Sequence, residues 1–260
     1  MEKQWQTIST PAKVNLSLEI TGAKDGLHTI KMETMSIDMY DTVSYCKNDK
    51  GVVDVKFADC FDGFDEVKFR PIIEGAISKF CETYGSVGAD FVISKKVPLG
   101  AGIGGSSVAV VGVVKALENL KNTKVDIRFL LSLGSDIPVV YMGGRNIVSG
   151  VGEVITPLEK EDKYFVILVK GAVDSGKAYA LFDKIGYEKY GKRENHLEKS
   201  ARALNESVID ARKTLENAGA KDVVMSGSGS AVVGIFDKEN EAREIFEKID
   251  GFCKYLTKSI

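Results

Sequence analysis

The stretch that decides the fold is Pro98-Leu99-Gly100-Ala101-Gly102-Ile103-Gly104-Gly105-Ser106-Ser107, which leads directly into the apolar segment 107–120. Glycines let the backbone adopt positive φ angles and approach an anion closely. The unpaired N–H groups and the dipole of a helix that begins here favour a phosphate. The two serine hydroxyls can bind phosphate oxygens or a magnesium ion. A flexible linker is the simpler alternative, but linkers rarely run directly into an apolar helix, so the pattern favours a phosphate-binding loop.

This loop differs from a Walker A motif, because no Gly-Lys-Ser/Thr ends it. A second turn, Ser226-Gly227-Ser228-Gly229-Ser230, lies between two apolar segments. Taken alone, this turn is explained better as the connection of a β-hairpin. Two such turns in one chain could, however, converge from two domains on one polyphosphate.

The composition is that of an ordinary globular protein. Of the 260 residues, 44% are hydrophobic and 28% are charged, and the net charge of −2 provides no basic field for nucleic acid or an anionic membrane. The four cysteines are far apart and there are only two histidines, so we expect free thiols and no zinc site. Residues 1–5 lack the apolar core of a signal peptide, and the apolar runs are too short to span a bilayer. We therefore expect a cytoplasmic protein that binds neither nucleic acid nor a membrane.

The first half of the chain predicts a mixture of strands and helices. The alternating and β-branched segments predict strands at 4–10, 14–20, 43–46, 52–57 and 91–94, with a turn at 21–26. Pro71 is expected to open a helix over 72–84, and Asp126 to cap a helix over 127–133. Segment 107–120 is apolar nearly all round, which predicts a buried helix.

The second half has a different order of elements. Asp174 is expected to cap a helix that runs through 185, and 197–217 predicts one long amphipathic helix. The remaining segments predict strands at 165–169, 223–225, 231–236 and 252–257, and a helix at 240–249. The order changes near 150–156, which predicts two α+β domains, 1–152 and 153–260.

Two further polar segments each allow a structural and a catalytic interpretation. In Gly134-Ser135-Asp136-Ile137-Pro138 the aspartate is either a turn former or a positioned carboxylate, and the local sequence favours the turn. In Pro11-Ala12-Lys13-Val14-Asn15-Leu16 the side chains of Lys13 and Asn15 share one face of a strand. On a half-exposed strand, that face would simply be solvated.

Four segments, taken in order, resemble the GHMP kinase superfamily: 11–18, 98–107, 133–139 and 225–232. Further matches to one branch of that superfamily are Asp25-Gly26-Leu27-His28, Gly150-Val151-Gly152-Glu153 and Asn195-His196-Leu197-Glu198. Each motif is modestly specific, whereas the ordered set covers nearly the whole chain. The resemblance implies a two-lobed α+β fold, with an N-terminal lobe like domain 2 of ribosomal protein S5 and a ferredoxin-like C-terminal lobe.

The resemblance also implies an activity. Enzymes of this branch transfer the γ-phosphate of ATP to the 2-hydroxyl of 4-diphosphocytidyl-2-C-methyl-D-erythritol, a step of non-mevalonate isoprenoid precursor biosynthesis. The implied ligands are ATP, Mg²⁺ and a small-molecule alcohol, bound between the two lobes, and we expect a monomer or a weak homodimer. This chemistry depends mainly on positioning and electrostatic stabilisation of the transferred phosphoryl group.

The site residues follow from the same resemblance. Asp136 would take the proton of the hydroxyl, and Lys13 would orient that carboxylate and offset developing charge. The residues implied to bind the nucleotide are Lys95, Pro98, Gly100, Gly102, Gly104, Gly105, Ser106 and Ser107, with Ser107 also reaching Mg²⁺. The residues implied to bind the substrate are Asn15, Leu27, His28, Ser175, Gly227 and Ser228. His196, near the start of a predicted helix, is expected to be a surface or first-turn residue and not a ligand.

Departures from the family pattern leave alternatives open. Leu27 stands where the family usually has a tyrosine that stacks on cytosine, and leucine offers no π-face. Segment 66–70 lacks the asparagine that often helps to hold adenine. A kinase for another alcohol, mevalonate-like or a sugar, is therefore one alternative. A nucleotide-binding homologue without catalysis is another, although Lys13 and Asp136 argue against it.

Overall fold

Helices and strands alternate irregularly along residues 4–260, which are the residues that a computed structural model of the chain describes. Residues 1–3, part of the N-terminal stretch considered above, lie outside them. The elements of the first half are β1 Gln6–Lys24, β2 Leu27–Lys47, β3 Val53–Phe57, α1 Glu66–Tyr84, β4 Ala89–Ser94, α2 Gly105–Lys121, α3 Ile127–Leu133, α4 Ile137–Met142 and β5 Arg145–Gly150. Those of the second half are β6 Val154–Pro157, β7 Tyr164–Val169, α5 Ser175–Ile185, α6 Glu198–Leu204, α7 Ser207–Asn217, β8 Val223–Met225, β9 Val232–Phe236, α8 Glu239–Glu247 and β10 Cys253–Lys258.

The chain divides into two compact units, and each unit is assembled from separate stretches of sequence. Unit 1 contains the described residues up to Ala12 together with Met39–Pro98 and Gly105–Tyr141. Unit 2 contains Lys13–Asp38, Leu99–Gly104 and Met142–Ile260. Both units combine helices with strands, as an α+β class requires. The division into 1–152 and 153–260 stays a prediction.

Unit 1 is a sheet with two main helices. Its strand order is β3-β4-β2, in which β3 pairs parallel to β4 and β4 pairs antiparallel to residues 42–47 of β2. Helices α1 and α2 pack against each other. Helix α2 is buried nearly all round, from Val108 through Val114, as its uniform apolar sequence predicts.

Unit 2 contains two groups of strands. Residues 30–35 of β2 pair with β5, which in turn pairs with β6, both antiparallel. A second sheet has the order β10-β7-β9-β8, antiparallel throughout, and α7 and α8 contact its strands. Strands β8 and β9 are entirely buried, so the Ser226–Ser230 turn that joins them is anchored at both ends.

Two helix predictions agree with the structure at both ends. Helix α3 spans the predicted 127–133, and the Asp126 carboxylate accepts the N–H of Phe129 at 2.8 Å. Helix α5 ends at Ile185, and the Asp174 carboxylate accepts the N–H of Lys177 at 2.8 Å. In both cases a strong N-cap marks the start of the helix and a glycine follows its end.

The predicted start of α1 is wrong. The helix begins at Glu66 and not after Pro71, because the Asp65 side chain caps it by accepting the N–H of Lys68 at 3.2 Å. Pro71 lies inside the helix, where it removes one backbone donor. Arg70 pairs with Glu66 one turn before it, and such i,i+4 pairs stabilise the first turns.

The single helix predicted over 197–217 is also wrong. The structure breaks it into α6 and α7 at Asn205, whose side chain accepts the N–H of Ser207 at 3.1 Å and donates to the carbonyl of Lys170 at 3.0 Å. An asparagine that bonds to nearby backbone competes with the helical hydrogen bonds. Similarly, the separate strands predicted at 4–10 and 14–20 form one strand, β1, and 43–46 is the end of β2.

Candidate active site

The two glycine-rich turns contact each other within unit 2. The hydroxyl of Ser226 donates to the carbonyl of Gly102 at 2.9 Å and accepts the N–H of Asn15 at 2.9 Å. A Cβ atom on Gly102 would lie 2.1 Å from the carbonyl oxygen of Ser226, so only glycine permits this approach. The first loop, over residues 99–104, therefore packs directly on the 226–230 turn.

Alternate residues of the first loop have positive φ angles. The values are 66° at Gly100, 76° at Gly102 and 80° at Gly104, in the left-handed region that glycine adopts without strain. Successive turns of this kind aim backbone N–H groups into a concave surface that suits an anion. The loop thus has a backbone form that can bind an anion, and its contact with a phosphate stays a prediction.

Lys13 lies beside this loop. Its ammonium group is 2.5 Å from Oδ1 of Asn15 and donates to the carbonyl of Gly102 at 3.3 Å. Lys13 is only 3% exposed and Asn15 is fully buried, with Nδ2 of Asn15 also 3.0 Å from Sδ of Met32. The structure therefore buries the face of β1 that the simpler interpretation left solvated, because the second turn covers it.

The second turn is held by Asn195. The side-chain amide of Asn195 donates to the carbonyls of Met225 at 2.7 Å and Gly227 at 2.8 Å, and its oxygen accepts the N–H of Leu197 at 2.9 Å. The Ser228 hydroxyl is 2.7 Å from that of Ser175, so the structure brings two predicted substrate-binding residues together. The sequence assigned no role to Asn195, although it opens a segment that resembles the family.

A group of rings surrounds His28. Its imidazole stacks on Tyr179 with the centroids 4.9 Å apart and meets the edge of Phe182 at 6.1 Å. Nε2 of His28 and Oδ1 of Asp183 lie 2.7 Å apart, whereas Leu27 beside it is 60% exposed. Sequence reasoning missed Phe182 and Asp183, and the available signal was their i+3 and i+4 spacing from Tyr179 on one helix face.

His196 belongs to the packing of unit 2 and is nearly buried. Its Nδ1 accepts the N–H of Ile20 at 3.0 Å, and its ring stacks on Tyr187 with centroids 3.9 Å apart. The same ring lies parallel to Phe182 at 6.4 Å. These contacts place it inside the fold and not on the surface, since it joins β1 to the segment before α6.

In unit 1, the placement of Lys95 does not support the prediction that it contacts the nucleotide. Its side chain is fully buried and forms an ion pair with Asp41 at 2.9 Å. Its ammonium lies 5.8 Å and 5.9 Å from the ring centroids of Phe61 and Phe69. Burial lowers the pKa of Lys95 and raises that of Asp41, while their mutual attraction opposes both shifts. The pair is a structural element of the core.

The same ion pair shapes the chain ahead of the first loop. One oxygen of Asp41 accepts the N–H groups of Lys96 at 2.7 Å and Val97 at 2.9 Å. This carboxylate therefore fixes the backbone that leads to Pro98, which is half-buried. The sequence could not indicate this, because Asp41 is distant along the chain.

The remaining predicted residues of unit 1 lie at two helix starts. Gly105, Ser106 and Ser107 form the first turn of α2, with the two serines half-buried. Asp136 directly precedes α4, is half-buried, and accepts the N–H of Val140 with its carbonyl at 3.2 Å. Asp136 thus lies at the start of a helix, and this position is compatible with both the turn-forming and the catalytic interpretation.

Comparison with known proteins identifies relatives over most of the chain. The family models described as "GHMP kinases N terminal domain" and "GHMP kinases C terminal" match residues 71–148 and 177–254. The 4-diphosphocytidyl-2-C-methyl-D-erythritol kinase of Clostridium beijerinckii is 27% identical over 97% of this chain and 99% of its own length. The protein of the same name from Clostridium botulinum is 29% identical over 93% of this chain and 95% of its own.

Solved structures show the same fold. A crystal structure of 4-(cytidine 5'-diphospho)-2C-methyl-D-erythritol kinase has a TM-score of 0.75 at 22% identity and covers 98% of this chain and 100% of that one. Homoserine kinase from Cytophaga hutchinsonii (TM-score 0.71, 18% identity) covers 100% of this chain and 96% of its own. Mevalonate kinase from Methanococcus jannaschii (TM-score 0.67, 14% identity) covers 99% of each. The predicted fold class is therefore confirmed, and the chain belongs to the GHMP kinase family.

Proposed function

We propose that this chain is an ATP-dependent kinase that phosphorylates the 2-hydroxyl of 4-diphosphocytidyl-2-C-methyl-D-erythritol. The observation that carries the proposal is the cluster in unit 2, where the Lys13 ammonium lies 3.3 Å from the carbonyl of Gly102 and the Ser226–Ser230 turn packs on the same loop. A buried lysine beside two glycine-rich turns suits phosphoryl transfer. Relatives of that name, similar over almost the full chain, support the choice of substrate.

The catalytic roles are assigned as follows. Asp136 takes the proton of the substrate hydroxyl, and Lys13 stabilises the negative charge that develops during transfer. The positive-φ glycines of the first loop and the first turn of α2 offer backbone N–H groups to the phosphates of ATP. Catalysis then depends on positioning, since the protein forms no covalent bond to the phosphoryl group.

Mg²⁺ is proposed to enter with ATP. Among residues 4–260, no group of three or more His, Cys, Asp or Glu side chains is arranged to hold a metal ion. Mg²⁺ commonly keeps several water molecules and binds through substrate phosphates with one or two protein ligands. A half-buried serine hydroxyl at a helix start, that of Ser107, fits this kind of site.

The cytidine head group is assigned to the rings around His28. Tyr179 and Phe182 provide the π-faces that Leu27 lacks, and Asp183 holds the imidazole in place through the 2.7 Å contact. Ser175 and Ser228, whose hydroxyls are in contact, are assigned to the polar part of the substrate. Recognition of a planar base therefore does not require an aromatic residue at position 27.

A second candidate is a kinase for a different small alcohol. Leu27 favours it, because a 60% exposed leucine is not a stacking surface for a base. Homoserine and mevalonate kinases share the fold. The two candidates agree on ATP, Lys13 and Asp136 and differ only in the acceptor.

The test is a coupled ADP-release assay of the purified chain with four acceptors: the cytidyl substrate, mevalonate, homoserine and galactose. We expect turnover with the cytidyl substrate alone. Turnover with only a non-cytidyl alcohol would retain the kinase and reject the substrate. ATP binding without turnover of any acceptor would support a non-catalytic homologue.

Asp136→Asn tests the proposed base. The variant is expected to lose about two to four orders of magnitude in kcat, the usual contribution of a general base, while its affinity for ATP stays unchanged. Asp126→Asn is the matched control, because asparagine also caps a helix well and α3 should remain intact. Near-normal turnover of Asp136→Asn would remove Asp136 from this role.

The proposal extends to location and assembly. Within residues 4–260, none of the helices combines the length and hydrophobicity that crossing a bilayer requires. We propose a cytoplasmic enzyme that acts as a monomer or a weak homodimer, and a net charge of −2 supports the absence of nucleic-acid binding. Light scattering over a range of concentrations tests the oligomeric state.

A further inference from the structure

Asn195 is nearly fully buried, and its side chain has every polar atom engaged. It is 4% exposed, and its amide group bridges the carbonyls of Met225 and Gly227, one at each side of Ser226. Its oxygen accepts the N–H of Leu197, which ties the bridge to the start of α6. A side chain placed in this way determines the direction of the peptide groups whose carbonyls it holds.

The consequence for Ser228 follows from the planarity of the peptide bond. The Gly227–Ser228 peptide is trans, so its carbonyl and its N–H point in opposite directions. Because Asn195 holds the carbonyl of Gly227, the N–H of Ser228 must point away from Asn195. Within residues 4–260, that N–H donates to no other group, and the Ser228 hydroxyl beside it contacts Ser175.

Glu198 gives the start of α6 an anchor that is separate from Asn195. Glu198, in the first turn of α6, is 1% exposed and receives two hydrogen bonds from Arg212, both at 2.7 Å. Arg212 also donates to the carbonyl of Val223 at 3.0 Å, which joins α6 to α7 and β8. Charge-assisted, bidentate bonds of this kind are strong. The start of α6 is thus held by two sets of bonds, whereas the carbonyls of Met225 and Gly227 are both held by Asn195.

We propose that Asn195 is a positioning residue that orients the N–H of Ser228 toward the diphosphate of the substrate. The inference rests on the proposed function, in which Ser228 binds the polar part of the substrate. A diphosphate is also present in ADP, and the two sources are distinguished below. Asn195 itself touches no reacting atom and acts only through the peptide that it holds.

The kinetic test compares Asn195→Asp and Asn195→Ala with the wild type. Both variants lose the two hydrogen bonds that the side-chain amide donates. Both are expected to raise KM for the cytidyl substrate by about tenfold or more, while kcat and KM for ATP stay within about threefold of the wild-type values. Asn205→Ala is the matched control, since Asn205 makes the same kinds of bonds at the other end of α6, to the carbonyl of Lys170 and the N–H of Ser207. The control is expected to lower Tm and leave both KM values unchanged.

A purely structural role predicts a different pattern. If Asn195→Ala lowered Tm like Asn205→Ala and left KM for the cytidyl substrate unchanged, the proposal would be overturned. Asn195→Asp also places a carboxylate against two carbonyls and can fail to fold, so the alanine variant is the deciding one.

Binding measurements need neither turnover nor a stable aspartate variant. CDP and ADP are titrated separately into the ¹⁵N-labelled wild type, and the amide resonance of Ser228 is followed. CDP is expected to shift this resonance in the wild type and in Asn205→Ala, and not in Asn195→Ala. A resonance that neither ligand moves overturns the proposal, and one that ADP alone moves overturns its assignment to the substrate. If the wild type fails to phosphorylate the cytidyl substrate, the proposed function fails, and these titrations still decide the role of Asn195.

Discussion

The two glycine-rich segments of unit 2 both depend on glycines, and only the second adds hydrogen bonds from its own side chains. The first loop, residues 99–104, depends on the absence of side chains. A Cβ atom at Gly102 would overlap the carbonyl of Ser226, and one at Gly100 would lie 2.8 Å from Cβ of Ala172. Both glycines also have φ angles that side chains rarely adopt.

The second turn, residues 226–230, also has positive φ angles at its two glycines, Gly227 and Gly229, but it adds side-chain hydrogen bonds. Each of its serines makes one or more: Ser226 with the carbonyl of Gly102 and the N–H of Asn15, Ser228 with the hydroxyl of Ser175, and Ser230 with the carbonyl of Gly171 at 2.7 Å. The comparison teaches that two similar compositions can form one site through different physics. Neither segment should tolerate an added carbon atom at its packed glycines, and the second should in addition lose stability with each serine hydroxyl removed.

Gly102→Ala is expected to have the largest effect. The positive φ angle and the overlap with Ser226 together should cost about 2–6 kcal/mol of unfolding free energy, because backbone strain and overpacking each cost about 1–3 kcal/mol. Displacement of the loop should lower kcat/KM by about 100-fold or more. Urea unfolding and the ADP-release assay measure the two losses.

Gly144→Ala is the control for that variant. Gly144 has the same φ angle of 76°, and nothing lies within 4 Å of its added Cβ, so only backbone strain of about 1–2 kcal/mol is expected. Equal losses of unfolding free energy in the two variants would show that the contact with Ser226 does not restrict the first loop. The explanation of that loop's shape by close packing would then be wrong.

Ser226→Ala should have the next largest effect. It leaves the buried N–H of Asn15 without its acceptor and removes one of the two donors to the carbonyl of Gly102, at a cost of about 1–3 kcal/mol. The value of kcat/KM should fall by about tenfold, since this hydroxyl joins the two turns. Thermal unfolding and steady-state kinetics provide the measurements.

Ser200→Ala is matched to it. The Ser200 hydroxyl is fully buried and, in the described part of the chain, has no hydrogen-bond partner. Its removal is therefore expected to be neutral or stabilising. A loss in Ser200→Ala as large as in Ser226→Ala would mean that buried hydroxyls here act through packing.

Ser230→Ala should have the smallest effect. Its hydroxyl donates to the carbonyl of Gly171, an exposed residue whose carbonyl can bond to water instead, so the expected cost is about 0.5–1.5 kcal/mol. Both KM values should stay unchanged in steady-state assays. If kcat/KM fell further in Ser230→Ala than in Ser226→Ala, the end of the turn and not its start would control the site.

Much of the fold was accessible from local patterns. Asp126 and Asp174 predicted the starts of α3 and α5, since a capping carboxylate bonds to an N–H three residues later. The break at Asn205 was missed because the apolar spacing continues across it. That break depends partly on the carbonyl of Lys170, 35 residues earlier, which periodicity does not report.

The candidate site, too, was predicted only in part from the sequence. The ordered motifs indicated the family and located both glycine-rich turns, and the alternation of β1 placed Lys13 and Asn15 on one face. The sequence could not show whether that face was solvated or buried. The Ser226 hydroxyl that covers Asn15 comes from a position 211 residues away.

By itself, the sequence determined the α+β class, the glycine-rich loop before α2, and the ordered motifs of a GHMP kinase, because backbone freedom, capping and the spacing of apolar residues are properties of neighbouring residues. Only the tertiary structure decided that Lys95 belongs to a buried ion pair with Asp41, that Lys13 lies against Gly102, and that Asn195 holds the second turn. These contacts depend on which residues, distant along the chain, the fold buries next to each other. In the interior each polar atom must find a partner, and the partners come from other parts of the chain.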